Sequence, residues 1–179
     1  MEKETLIALL GVMIGGGISY IVGINLQNRH FKKEENDKKD ILRSQLETLV
    51  SEINDEYIRL QNLRNLIQGD GYPREHFDVT IKKAILAEMV KTKLYPQNKP
   101  IFNRVNSLIN RLMILNREIG SMQDLIGAYC STRYQKAKIR QERDATVGVI
   151  DDILVQNIRE QKDKPELCVQ LESIIKNLK

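Results

Sequence analysis

Residues 101–129, IFNRVNSLINRLMILNREIGSMQDLIGAY, decide the fold of this chain. Apolar side chains recur along the stretch at alternating steps of four and three residues: Ile101, Val105, Leu108, Leu112, Leu115, Ile119, Met122, Ile126 and Tyr129. This spacing, kept over about four heptads, predicts a helix that packs by knobs into holes. A second apolar strip widens its buried face, as expected of a bundle's central helix: Phe102, Ile109, Met113, Ile114 and Leu125. We predict one helix from Ile101 to about Lys136.

Another amphipathic helix is predicted for residues 39–68. Its apolar residues again follow steps of three or four: Leu42, Leu46, Leu49, Ile53, Tyr57, Leu60, Leu63 and Ile67. Four more widen the apolar face and favour more than one packing partner: Ile41, Val50, Ile58 and Leu66. The run Gly69-Asp70-Gly71-Tyr72-Pro73 ends the helix.

Three further helices complete the predicted body. Asp78 is the expected N-cap of a helix that ends near Leu94, ahead of Pro96 and Pro100. Residues 142–162 form the next helix, and a capping box of Asp163 and Glu166 begins the last. No stretch alternates with period two for long enough to predict a strand.

An N-terminal membrane segment is predicted before this body. No charged residue occurs from Thr5 to Asn28, and the apolar part, Leu6–Leu26, would span about 30 Å as a helix. A cleaved signal peptide is the alternative, with Gly17-Ile18-Ser19 resembling a cleavage site. The leader, residues 1–4, carries no net positive charge, which favours a retained anchor.

The predicted fold class is therefore all-α: one N-terminal transmembrane helix followed by a cytosolic bundle of four to five helices. The predicted parts are an anchor at 1–28, a basic juxtamembrane linker at 29–40 and the bundle at 41–179. Five basic residues follow the anchor: Arg29, Lys32, Lys33, Lys38 and Lys39. By the positive-inside rule they predict a single-pass protein of the inner membrane, with its N-terminus outside and most of the chain in the cytoplasm.

Small residues recur every four positions inside the predicted anchor, at Gly11, Gly15, Ser19 and Gly23. Residues four apart lie on one helix face, and small side chains let helices approach closely in lipid. The pattern predicts a homo-oligomer within the lipid bilayer. The alternative is that glycine is simply more common in membrane helices.

Composition offers little material for catalysis. Among 179 residues, 41% hydrophobic and 29% charged, there are two cysteines and two histidines. Neither His30 nor His76 follows an arginine at the spacing of helical ribonucleases, and no metal or phosphate-loop motif occurs. We predict no catalytic residue, no metal site, no cofactor and no enzyme activity.

The most basic internal stretch is a candidate for phosphate contact. It carries Arg133, Lys136, Lys138, Arg140 and Arg143, opposed nearby only by Glu142. These cations predict contact with RNA or anionic lipid. The alternative, which we favour because only Tyr134 offers stacking, is a solvated helix junction. Binding of nucleic acid stays open.

In overall architecture the chain resembles the single-pass, HEPN-like accessory protein of type VI-B CRISPR systems. The length, the segment Thr5–Asn28 and the helical body match, while the catalytic motif of an arginine followed after four to six residues by a histidine does not occur. The resemblance implies a non-enzymatic antiviral effector that forms an oligomeric membrane pore, with a soluble defence-system partner. Two alternatives stay open: a membrane-tethered scaffold or adaptor for a cytosolic partner, and a degenerate HEPN-like ribonuclease.

Overall fold

The computed structural model describes the backbone of residues 2–127, 133–161 and 164–178, and the side chains of residues 23–127, 136–159 and 164–178. These ranges contain the helices α1 (Glu2–Gln68), α2 (Thr80–Val90), α3 (Leu94–Gln97), α4 (Lys99–Gly127), α5 (Arg133–Asp152) and α6 (Glu166–Asn177), with a π-helix at Ile153–Ile158. Strands β1 (Glu160–Gln161) and β2 (Lys164–Pro165) form a minimal antiparallel pair. The all-helical body is confirmed.

The chain divides into two units, Met1–Leu42 and Arg43–Lys179. The first unit is helical, as part of α1, and so is the segment 29–40 that was predicted to be a linker. All its described side chains from Gly23 to Ile41 are exposed. The second unit contains every buried side chain of the described residues.

The prediction of a membrane-spanning N-terminal helix is corrected here. In the described part of the chain, no helix combines the length and the apolar character that a bilayer crossing requires. The side chains of α1 are described from Gly23 onward, and Arg29, Lys32 and Lys33 follow shortly after it. Charged side chains such as these are costly to place in the hydrocarbon core of a bilayer. Of the predicted packing stripe, the side chains of Gly11, Gly15 and Ser19 lie outside the described residues. Gly23 has no atom within 4 Å of a Cβ position.

The core of the second unit uses the predicted apolar stripes. On α1 the residues Leu46, Leu49, Ile53, Tyr57, Leu60, Leu63 and Ile67 are buried. On α4 the buried set is Phe102, Val105, Leu108, Ile109, Leu112, Leu115, Ile119 and Met122. Helix α4 packs against α2, α5 and α6. It is the central helix of the bundle, as its heptad pattern predicts.

The widened apolar faces are only partly used. Ile41, Ile58 and Leu66 on α1 are exposed, and so are Met113 and Ile114 on α4. A second packing partner for these residues, predicted from the breadth of the stripes, is therefore absent among the described residues. On α4 the second strip is divided, because Phe102 and Ile109 are buried with the heptad seam while Met113 and Ile114 are exposed.

The predicted helix from Ile101 to Lys136 is two helices. Helix α4 ends at Gly127 and α5 begins at Arg133 and packs against α4. Packing α5 against α4 buries the apolar stripe of α4, which a straight continuation would leave exposed. Glycine has a low helix propensity, so Gly127 gives little resistance to ending the helix there.

Helix starts differ in detail from their predicted caps. The Asp78 carboxylate accepts a hydrogen bond from the Thr80 N–H at 2.8 Å, so this residue does satisfy an N-terminal donor of α2. Helix α6 is preceded by Pro165, with no side-chain cap hydrogen bond. Asp163, half of the predicted capping box, lies outside the described residues.

The C-terminus of α1 has the Schellman hydrogen-bond pattern. The Gly71 N–H donates to the Leu66 carbonyl at 2.8 Å, and the Asp70 N–H donates to the Ile67 carbonyl at 3.2 Å. Asp70 occupies the left-handed position, with φ of 61°. Glycine is the usual residue there, because a Cβ costs about 1–2 kcal/mol in this conformation. Aspartate is one of the few other residue types that adopt this conformation.

Candidate functional site

The candidate site is a cavity of about 640 Å³ in the second unit. Its walls come from the last turn of α1, from Asp70 two residues beyond the end of α1 and from one face of α5. The lining residues are Ile67, Gln68, Asp70, Lys136, Ile139, Arg140, Arg143, Asp144 and Val147. A cavity of this size falls within the range of about 300–1,000 Å³ that is usual for small-ligand sites.

Helical periodicity explains why one face of α5 supplies most of this lining. Its six lining residues follow steps of three and one, which keeps them on a single side of the helix. Three of the five predicted phosphate-contact residues, Lys136, Arg140 and Arg143, therefore meet at the cavity. Lys138 is exposed and does not line it. The side chain of Arg133 lies outside the described residues.

Arg143 is fixed at the cavity by Asp70. Its Nη1 forms an ion pair with the Asp70 carboxylate, and its Nη2 donates to the Asp70 main-chain carbonyl at 2.8 Å. The Arg143 side chain is only 20% exposed, and its buried Nε donates to no described acceptor. Arg143 is therefore held in place with one donor still unused.

The other two cations of the cavity lack an ion pair of the kind that Arg143 forms with Asp70. Lys136 and Arg140 are exposed, and neither forms an ion pair with a described residue. Lys136 also lies at the end of the first turn of α5, and that turn carries no acidic residue. Positive side chains are unfavourable at that end, because the helix dipole is positive there. A bound anion would relieve this repulsion.

Chemically, the arrangement suits recognition of an anion beside an apolar group. Lysine offers a point charge, and arginine offers a planar fork of donors that matches phosphate or carboxylate. Ile67, Ile139 and Val147 supply the apolar part of the wall. Asp70 and Asp144 keep the lining from being uniformly basic. Nothing in this set is a nucleophile paired with a base.

The remaining candidate residues do not join the cavity. The basic residues after the predicted anchor, Arg29, Lys32, Lys33, Lys38 and Lys39, are exposed on α1. Lys38 pairs with Glu34 at 3.1 Å and Lys39 with Glu35 at 3.8 Å, as surface pairs one helical turn apart. Such pairs contribute little to stability.

Neither histidine nor the described cysteine lines the cavity. His30 and His76 are both exposed, and the His76 carbonyl accepts a hydrogen bond from Arg59 at 2.8 Å. Cys168 is a buried free thiol 3.6 Å from the Val50 carbonyl, and burial raises its pKa to about 11. A thiol with so high a pKa is a poor nucleophile near neutral pH. Cys130 lies outside the described residues.

A buried ion cluster between α1 and α2 was missed in the sequence. Lys82 is fully buried, and its Nζ lies 2.9 Å from a Glu52 carboxylate oxygen and 3.0 Å from one of Glu56. The same Nζ donates to the Asp78 carbonyl at 2.9 Å. Burial raises the pKa of Glu56 despite the nearby Lys82 ammonium.

A sequence signal for this cluster does exist. Glu56 lies on the heptad seam of α1, three residues after Ile53 and four before Leu60. Lys82, Ile85 and Met89 follow the same steps on α2 and are its buried residues. Two oppositely charged residues at seam positions of neighbouring helices indicate a buried ion pair. Because every donor of Lys82 finds a protein acceptor, we assign the cluster to structure.

No group of three or more potential metal ligands occurs among the residues that the structure describes. No family model matches the chain, and neither a curated protein nor a solved structure matches it. The resemblance to the CRISPR accessory protein therefore stays a prediction.

Proposed function

We propose that this protein is a non-catalytic helical adaptor whose basic cavity binds a phosphoryl group displayed by a partner protein. The observation that carries the proposal is the convergence of Lys136, Arg140 and Arg143 on one cavity of about 640 Å³. A phosphoryl group has close to two negative charges and three acceptor oxygens. It would pair with the two uncompensated cations, Lys136 and Arg140, beside the Arg143 guanidinium.

The composition of the cavity favours a single phosphoryl group over an extended polyanion. Asp70 and Asp144 line the same space and would repel a continuous phosphate backbone. Aromatic side chains, on which bases stack in single-stranded nucleic-acid sites, are not among the lining residues. The apolar wall suits the carbon atoms of a phosphorylated side chain. Binding of RNA in this cavity would contradict the proposal of a single phosphoryl group.

The test is to titrate the purified chain with methyl phosphate at low salt and to measure the affinity by calorimetry. The Lys136→Gln/Arg140→Gln double variant should bind at least about tenfold more weakly, because each lost charged hydrogen bond is worth about 1.5–3 kcal/mol. The matched control is Lys138→Gln/Arg117→Gln, which removes one lysine and one arginine outside the lining. Equal affinities in the two double variants would refute the site.

A second candidate function is self-association through the first unit. Among the described side chains of that unit, Leu26 and Phe31 are large, apolar and each 60% exposed. Most helical stability comes from packing an apolar face, so an exposed helix of this kind gains from a second copy. Sedimentation equilibrium should report an oligomer that Phe31→Lys weakens. Val155→Lys, at another exposed apolar residue, is the control.

A further inference from the structure

We infer that a second pocket of this protein binds a small aliphatic carboxylate, with the Arg159 guanidinium holding the carboxylate group. The pocket lies within the second unit and shares no described lining residue with the basic cavity. Binding there is therefore separate from the proposed recognition of a phosphoryl group.

The pocket lies between α1 and the π-helix and has a volume of about 300 Å³. Its described lining residues are Tyr57 and Gln61 on α1, Leu154 and Val155 on the π-helix, and Arg159 directly after it. This volume is at the small end of the range of about 300–1,000 Å³ for ligand sites. A mainly apolar wall with a few polar groups is also usual for such sites. The pocket therefore suits a small, partly apolar ligand.

The π-helix brings Arg159 to this pocket. The Arg159 N–H donates to the Leu154 carbonyl at 2.8 Å, five residues back, so Arg159 stands one turn above Leu154. In an α-helix the residue above Leu154 would be Ile158, which is instead fully buried in the core. The longer turn thus keeps Ile158 in the core and places Arg159 beside Leu154 and Val155. Helices of this type are rare and occur frequently at functional sites.

The main chain of Arg159 is fixed, whereas its guanidinium is accessible. Its carbonyl accepts a hydrogen bond from the Glu166 N–H at 2.7 Å. Its φ of 50° and ψ of 102° lie outside the left-handed helical region that asparagine and aspartate adopt. The side chain is 68% exposed, and its ion pair with Glu166 is long, at 3.9 Å. A guanidinium has five N–H donors, so this contact leaves most of them for a ligand.

The lining also indicates the chemical class of the ligand. Arg159 is the charged residue among the described lining residues, so an occupant with one negative charge matches it. The planar guanidinium fits a carboxylate through two parallel hydrogen bonds. Gln61 adds an amide, which is held by a hydrogen bond from its Nε2 to the Tyr57 hydroxyl at 2.6 Å. An aliphatic chain would pack on Leu154 and Val155, and hexanoate is therefore the probe.

The experiment titrates the full chain with hexanoate and with butyrate at low salt and follows the NMR shifts of its main-chain amides. Hexanoate should bind at least about fivefold more tightly, because each of its two additional methylenes gains about fourfold when fully buried. Arg159→Gln should weaken hexanoate binding at least about tenfold, because the charged hydrogen bonds are lost. The Lys136→Gln/Arg140→Gln double variant changes only the basic cavity and should stay within about twofold of wild type.

Val155→Asp is a second variant, at an exposed lining position where the fold tolerates a charge. It should weaken hexanoate binding at least about fivefold by repulsion. Val169→Asp, at an exposed valine outside the lining, is the matched control and should stay within about twofold of wild type.

Three results would overturn the inference and leave the methyl phosphate test of the basic cavity unaffected. One is wild-type affinity for hexanoate in both Arg159→Gln and Val155→Asp. Another is a loss in Lys136→Gln/Arg140→Gln as large as that in Arg159→Gln, because hexanoate would then occupy the basic cavity. The third is equal affinity for hexanoate and butyrate, because no apolar chain would then be buried.

Discussion

Asn116 pairs with the main chain of Phe77 through both polar atoms of its amide. Its Nδ2 donates to the Phe77 carbonyl at 2.8 Å, and its Oδ1 accepts from the Phe77 N–H at 2.9 Å. Gln123, two turns further along α4, donates to the Pro73 carbonyl at 2.7 Å. These amides tie the segment between α1 and α2 to the central helix of the bundle.

Replacing Asn116 with alanine should lower the free energy of unfolding by about 1–3 kcal/mol, because both main-chain groups of the buried Phe77 lose their partners. Urea denaturation followed by circular dichroism measures the change. Asn110→Ala, an exposed asparagine on the same helix, should stay within about 0.5 kcal/mol of wild type. Equal effects at the two positions would contradict a structural role for the pair.

Lys82→Ala should lower the free energy of unfolding by about 3–5 kcal/mol, more than Asn116→Ala does. The reason is that it leaves the buried Glu56 carboxylate without its cation. The neighbouring Lys83 is exposed, so Lys83→Ala should change stability by no more than about 0.5 kcal/mol. Paired urea denaturation curves measure both. The interpretation of a buried ion cluster fails if the two alanine variants are equally stable.

The pH dependence of stability should carry a signature of Glu56. Burial raises the pKa of this carboxyl above its ordinary value of 4.5, so the folded chain binds its proton more tightly than the unfolded chain does. The resulting stabilisation is fully present below pH 4.5 and is lost as the pH rises through the folded-state pKa. The stability of wild type relative to Glu56→Gln should therefore fall as the pH is raised from the acid side. A pH-independent difference between the two proteins would disprove this.

Replacing Gly71 or Gly120 with alanine should change the stability of the fold in opposite directions. A Cβ at Gly71 would meet the Leu66 side chain and lie 2.8 Å from the Leu66 carbonyl oxygen, so Gly71→Ala should destabilise the fold by about 1–3 kcal/mol. Gly120 lies inside α4 with no atom within 4 Å of a Cβ, so Gly120→Ala should stabilise by about 0.4–1 kcal/mol. Thermal unfolding monitored by circular dichroism distinguishes the two. Stabilisation at Gly71, or a loss at Gly120, would show that the backbone is packed differently.

The basic stretch was recognised from the sequence because charge is read directly from residue types. Whether this stretch contacts phosphate or forms the favoured solvated junction stays a prediction. Lys136, Arg140 and Arg143 share a face by helical spacing alone. Asp70 is 73 residues before Arg143, and no local pattern joins the two residues.

The sequence by itself determined the helical class, the seams of α1 and α4 and the break after Gln68, because apolar periodicity and glycine conformations act over a few residues. Only the tertiary structure decided that α5 packs against α4, that Lys82 joins Glu56 inside the core and that Asp70 meets Arg143. These outcomes depend on which helix faces come together, and that is set by burial summed over the whole body rather than by any local stretch. The predicted anchor is contradicted within the described residues, where no helix has the length and apolar character needed to cross a membrane.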